Sequence, residues 1–251
     1  MSRAFWPLSP VLAGLLLGAL GSPALAVVGP ALEDPGFSAH IVMVLNRQGD
    51  RAGFCSGVVV ATRAVLTAAH CVTAPADMRV HYRDGAGGVV LLPVKTVAVN
   101  PAYRADALTR RVASIDLALV ETESPLDGRF SAADLDATGA VAVGDPLRIV
   151  GYGVGREGEG KTGGVLRAAA LRVRAPLSGT LLWAEDPEAA GAGACTGDSG
   201  GPILSGDGAR VLAIVTWSAG VRGKRCGTVT QGPLVAAQRA WIEGVLAGWG
   251  R

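Results

Sequence analysis

An all-β fold closed by one C-terminal helix is what this chain predicts, and three features predict it. Short apolar, β-branched runs recur between residues 40 and 230. Gly and Pro, 36 and 14 in number, punctuate the gaps between the runs. A mostly apolar stripe at helical spacing occurs in residues 233–246. Runs of that length, bounded by turn residues, make a barrel or a sandwich.

The elements follow in chain order. Residues 1–26 read as a secretory leader: Arg3, an apolar run over 11–20, then the small-x-small site Ala24-Leu25-Ala26. The run is shorter than the roughly 20 residues that span a bilayer. Strands are expected at 40–45 (HIVMVL), 55–60, 64–69, 78–82, 89–99 and 114–120 (SIDLALV). Pro93 inside the fifth of these hints at an edge or a bulge. Residues 121–143 are polar and Ala-rich, a crossing between halves, and strands resume at 146–152, 165–173, 180–184, 202–204, 211–217 and 227–230. Residues 155–164 are Gly-rich but lack the spacing of a phosphate loop, and read as a surface loop. Pro233 suits the first turn of the terminal helix.

Composition narrows the function. The 251 residues carry a net charge of +2 and no basic block, which argues against nucleic acid. Four cysteines allow three pairings, of which the local one, Cys55 with Cys71 and Cys195 with Cys226, is the simplest. Zinc is the rival, but there is no CxxC, and the only Cys–His neighbours are His70-Cys71.

Few residues offer chemistry. Of the three histidines, His40 sits in an apolar run and reads as structural, and His81 lies in an alternating run facing solvent. His70 differs, because a strand delivers it to a small-residue turn beside Cys71. Asp116 lies in an apolar run, where a carboxylate costs several kcal/mol unless paired, and an imidazole N–H is a natural partner. Asp106 is a rival acid in polar surroundings. Ser199 stands in Gly197-Asp198-Ser199-Gly200-Gly201-Pro202. There glycines let the backbone approach a ligand closely, although Gly, Asp and Ser also make ordinary turns.

Taken together, Ala68-Ala69-His70-Cys71, Asp116-Leu117-Ala118-Leu119 and Gly197-Asp198-Ser199-Gly200-Gly201-Pro202 resemble the trypsin/chymotrypsin serine proteases. Val27-Val28-Gly29, Gly151-Tyr152-Gly153, Thr216-Trp217 and Trp241-Ile242 extend the resemblance over nearly everything after the leader. It implies a bacterial-type secreted member built of two packed six-stranded antiparallel β-barrels and a C-terminal helix, with the active site between them. The leader would be 1–26 and the protease domain 27–251, with barrels over 27–135 and 136–232 and the helix over 233–247.

By that resemblance Ser199 is the nucleophile, His70 its base and Asp116 the group that orients the histidine. The N–H groups of Gly197 and Ser199 form the oxyanion hole. Thr216, Trp217 and Ser218 pair with extended substrate, and Gly193 marks the floor of the specificity pocket. Cys55–Cys71 and Cys195–Cys226 are two of the family's bridges. A new amine at Val27 pairs with Asp198.

The chain departs from the family where trypsin-like members carry aspartate, since Gly193 stands there. The 217–226 segment is longer than usual, and Thr216 replaces a serine. An endopeptidase that is not specific for Arg or Lys is therefore expected, unless Glu185 or Glu188 reaches the pocket. It is expected to act on polypeptides as a secreted or periplasmic monomer, with no cofactor, metal, nucleic acid or membrane partner. The alternatives are a non-catalytic binding module on the same fold and an exported protease–chaperone, the latter lacking room for a peptide-binding domain.

Overall fold

The computed structural model describes residues 1, 27–29, 31–33 and 35–250, and residues 2–26 of the expected leader lie outside them. Strands dominate. They are β1 (Leu32–Glu33), β2 (Ile41–Gln48), β3 (Arg51–Ala61), β4 (Ala64–Thr67), β5 (Met78–Arg83), β6 (Val89–Val99), β7 (Ala118–Thr122) and β8 (Asp134–Leu135). After these come β9 (Pro146–Gly151), β10 (Arg167–Val173), β11 (Leu181–Glu185), β12 (Pro202–Ser205), β13 (Arg210–Ile214), β14 (Trp217–Ala219) and β15 (Val229–Pro233). One short helix, α1 (Ala107–Arg110), interrupts the first half, and α2 (Arg239–Gly248) ends the chain.

The first half closes as an antiparallel barrel in the order β2-β3-β4-β7-β6-β5. In β5, Met78, Val80 and Tyr82 turn inward while Arg79 and His81 are half-buried and Arg83 is exposed. That is the period-two pattern of a half-buried strand. His81 is therefore less open than its alternation suggests, and its Nδ1 lies 2.8 Å from the Val90 carbonyl. Pro93 belongs to an interior strand, and the bulge lies next to it, between Val94 and Thr96.

The second half is a nine-stranded sheet ordered β14-β15-β11-β10-β9-β12-β13-β8, with β1 attached to β10. An antiparallel bridge from Ala213 to Leu234 and the bond from Val235 N–H to the Leu212 carbonyl (3.0 Å) bring β13 round to the end of β15. Six strands thus curl into the second barrel, while β1, β8 and β14 are short additions. β8 alone is parallel to its partner, β13.

Alternation along the strands sorts most of the core into three clusters, with a small fourth at Val154 and the Cys195–Cys226 disulfide. Val59, Val65 and Val120 fill the first barrel, and Ile149, Ile203 and Ala213 fill the second. Their immediate neighbours Val58, Leu66, Leu119, Val150, Leu204 and Ile214 turn the other way and pack the barrels against each other. Ile242 of α2 joins that seam. The helix begins later than Pro233 because that proline ends β15, paired with Leu181, and a 3-10 turn over Ala236–Gln238 intervenes. Pro233 is the last residue of β15 and has no partner in β14, so its missing N–H costs no bond on that side. Both local disulfides form, Cys55–Cys71 and Cys195–Cys226. Among the described residues no helix is long and apolar enough to cross a membrane.

Candidate active site

β4 is buried throughout and delivers the chain into a 3-10 turn, Ala69–Cys71, that carries His70. Two ties fix the turn: the Cys71 disulfide to β3, and an Asn46 Nδ2–H donating to the Cys71 carbonyl at 2.8 Å. Asp116 sits just ahead of β7 rather than within it. Its Oδ1 accepts the His70 backbone N–H at 2.9 Å, and its Oδ2 lies 2.7 Å from His70 Nδ1. A carboxylate at Nδ1 places the ring proton there and leaves Nε2 as an acceptor.

Among the described residues Asp116 takes its hydrogen bonds from His70 alone. Burial, and then the Asp116 charge, push the neighbouring Tyr103 hydroxyl above its ordinary range. Asp106 pairs instead with Arg110 at 3.3 Å, and His40 Nδ1 lies 2.9 Å from the Ser131 carbonyl. Cys55, His70 and Cys71 bring their ligand atoms within 4.8 Å, but both sulfurs are held in the disulfide and are not thiolate ligands.

Ser199 reaches the same cleft from the second barrel. A cavity of about 620 Å³ is lined by His70, Gly197, Ser199, Thr216, Trp217 and Ser218, among others. The loop that carries Ser199 is anchored across the seam by one residue of β3. Ser56 N–H donates to the Ser199 carbonyl (2.8 Å), and its hydroxyl donates to the Gly197 carbonyl (2.9 Å) while accepting Tyr152 N–H (3.0 Å). Thr67 Oγ1–H in turn donates to the Ser56 carbonyl at 2.8 Å.

Two glycines permit this approach. A Cβ on Gly200, at φ +82°, would lie 2.1 Å from both the Ser56 carbonyl oxygen and Thr67 Oγ1. One on Gly197, at φ +96°, would lie 2.3 Å from the Phe54 ring. The Gly197 and Ser199 N–H groups donate no hydrogen bond among the described residues. Buried backbone N–H groups are nearly always paired. Two free donors beside a cleft serine form a ready site for a developing oxyanion.

Asp198 is 1% exposed, and its two oxygens accept Gly153 N–H (2.8 Å) and Cys195 N–H (2.9 Å). Burial pushes its carboxyl up to about 7, against the pull of those two bonds and of the buried Arg167 charge. Val27 is wholly buried in one cluster with Ala192 and Ala194, which flank this loop, and Val28 bridges to Gly193.

Gly193 is buried, next to the cleft-lining Cys195 and Cys226. Its N–H donates to the Val28 carbonyl at 3.1 Å, and an added Cβ would meet the Gly227 backbone at 3.0 Å. Lys224 and Arg225 line the cleft as well, which sequence reasoning missed. The Ser218 hydroxyl donates to the Arg225 carbonyl (2.8 Å), and Gly220 N–H donates to the Lys224 carbonyl (2.9 Å). These bonds fold the long 217–226 segment back onto the cleft, and that length was its sequence signal. Ser56 was missed too; its signal was a lone hydroxyl in an apolar run.

The family model described as Trypsin matches residues 28–242. The chain belongs to the trypsin family. It is 29% identical over 212 residues to a vitellin-degrading protease of Bombyx mori, covering 75% of each chain. It is 29% identical over 223 residues to Trypsin zeta of Drosophila erecta, covering 77% of this chain and 74% of the relative. These insect relatives lend no support to a bacterial-type member. In fold it is similar to neuropsin, a serine protease of mouse brain, with TM-score 0.69, 22% identity, and 86% of this chain and 99% of that one covered. It is similar also to an inactivated protease paralogue of the scabies mite, with TM-score 0.67, 22% identity, and 84% and 95% covered. The trypsin-like serine protease fold thus occurs both with activity and without it.

Proposed function

We propose that this trypsin-family chain is an active, secreted serine endopeptidase. Ser199 Oγ attacks the substrate carbonyl while His70 Nε2 takes its proton. Asp116 stabilises the imidazolium, and the Gly197 and Ser199 N–H groups hold the oxyanion. The C–N bond then breaks, the amine leaves with the proton from His70, and water hydrolyses the acyl-enzyme by the same steps in reverse. The observation that carries this reading is the Asp116 carboxylate bound to both His70 N–H groups, in a cleft shared with Ser199 and two free N–H donors.

Residues 1–26 are the leader in this reading, and 27–251 a monomeric protease domain of two barrels, approximately 27–135 and 136–232, with a terminal helix. Cleavage before Val27 frees an amine that pairs with Asp198. The Val27 backbone stands at φ +51°, a costly region for a β-branched residue. Cutting the preceding peptide bond removes that torsion. Preference for Arg or Lys at the cleaved residue is not expected, because among the described residues the cleft at Ser199 is lined by Lys224 and Arg225 and by no acid. Glu185 is engaged by Arg172 and Arg174.

Labelling with a serine-directed fluorophosphonate tests the reading. The chain beginning at Val27 should label at one site, and Ser199→Ala should remove the label while keeping the melting temperature. A wild-type chain that folds yet takes no label would make it a binding module. Undiminished labelling of Ser199→Ala would unseat the nucleophile.

A further inference from the structure

Charge along the cleft is one-sided. β14 is the last strand of its sheet: one edge pairs with β15, and the other faces the cleft. Thr216 and Trp217 line both the cavity at Ser199 and a second depression of about 550 Å³ that holds His70, Tyr103 and Asp116. An extended peptide added to that free edge gains main-chain hydrogen bonds and turns alternate side chains to opposite faces. One set faces the cavity at Ser199, and the other faces the second depression.

Both places carry cations. Lys224 and Arg225 line the first, and Arg104 and Arg111 line the second. Among the described residues the sole acid in either lining is Asp116, whose two oxygens are taken by His70. Arg104 Nη1–H donates to the Pro101 and Tyr103 carbonyls at 3.0 and 2.8 Å, which holds the guanidinium in place without neutralising it. Arg225 is 88% exposed and only 4.0 Å from the Glu157 carboxylate, a loose contact. Among the described residues Lys224 and Arg111 make no ion pair. Glu157 also accepts the Arg225 backbone N–H at 2.9 Å, so the balance is four cations against Asp116, already occupied, and Glu157, still a positive bias in a chain of net charge +2.

We propose that the preferred substrates are polypeptides with Asp or Glu in the two residues just before the cleaved one. This rests on the protease reading above. A carboxylate at the first of these positions would meet Arg104 and Arg111, and one at the second would turn toward Lys224 and Arg225. Such contacts lie at the protein surface, so they act by attraction that salt screens.

The test uses the chain beginning at Val27 and two matched peptide libraries. The cleaved residue is randomised in both, and the two residues before it are Glu in one and Gln in the other. At low ionic strength kcat/KM should favour the Glu library about five- to twentyfold, as a few exposed ion pairs acting together allow. At 1 M salt the ratio should fall to within about twofold, since the screening length there is about 3 Å. Arg111→Gln and Lys224→Gln should each lower the ratio.

A ratio of one or less at low salt, or a ratio that neither variant changes, would overturn the inference and leave the protease reading standing. Equal suppression of both libraries by salt would overturn it as well, because the charges would then act on the protein rather than on the substrate. Cleavage of neither library, with no fluorophosphonate labelling, would overturn the protease reading and the inference together.

Discussion

Blocking the amine of Val27 should change how stability depends on pH. The perturbation is one extra residue, Ala26, ahead of Val27, compared with a chain that begins at Val27; both carry Ser199→Ala to prevent self-digestion. With no amine at Val27, Asp198 has a folded pKa of about 7, raised by burial. The unfolded value is about 3.9. The folded state therefore binds more protons than the unfolded one between about pH 4 and 7, and stability falls as pH rises through that window. The difference between about 3.9 unfolded and about 7 folded corresponds to about 4 kcal/mol. For a chain of this size each kcal/mol moves the melting temperature by about 2–4 °C, so the extended chain should lose about 8–16 °C between pH 4 and 7. In the chain beginning at Val27 the ammonium offsets the carboxylate and this fall disappears. Its own contribution is present at neutral pH and is lost as pH rises through the raised pKa of the amine. Scanning calorimetry of both chains from pH 4 to 9 reads the difference, in which every other carboxyl group cancels. Parallel curves, within about 2 °C throughout, would refute the pairing of Val27 with Asp198.

Ser56→Ala leaves the Gly197 carbonyl and the Tyr152 N–H without their partner, and should cost about 2–4 kcal/mol in urea unfolding and lower kcat more than it raises KM. Gly200→Ala must fit a Cβ against the Ser56 carbonyl at φ +82°, and should lose about 2–4 kcal/mol by the same measurement along with most fluorophosphonate labelling. Burial works to raise the Asp136 carboxyl, but N–H groups of Gly139 and Thr138 and the charge of Arg210 outweigh it and hold the pKa below the usual range. That contribution is present above about pH 4 and is lost as pH falls through the depressed value. Arg210→Ala should cost about 1–3 kcal/mol at pH 7 and flatten the acid side of the stability profile.

Period two made much of the fold legible. The alternation of Met78, Val80 and Tyr82 fixes which side of β5 is core, and the doubly apolar run over 64–67 signals a strand buried on both faces. Residues 211–217 read as one strand, but the chain switches neighbours within it. Val215 N–H bonds to Gly201, Thr216 N–H bonds to Gln231, and two strands result. Partner exchange leaves no trace in hydropathy. In the site, His70, Asp116 and Ser199 stood out through local motifs, because each sits on a turn or strand end whose residue types are constrained nearby. The setting of Gly193, packed against Gly227 and bonded to Val28, was not legible, because those contacts are remote in sequence. Lys224 and Arg225 were hidden for the same reason: their place follows from how a long loop folds back.

A protease is also a polypeptide among copies of itself, and Ser56 bears on what happens then. The loop that carries Ser199 is held from the other barrel, through the Ser56 N–H and hydroxyl. Any fluctuation that parts the barrels enough to expose a strand to another copy also removes those bonds. A copy opened along that seam is therefore unable to cut while it is open. Self-digestion of the strands by this route needs one closed copy and one open copy, and it proceeds as the product of the two populations. It should slow sharply on dilution, and it should slow again with anything that tightens the seam without touching the catalytic groups.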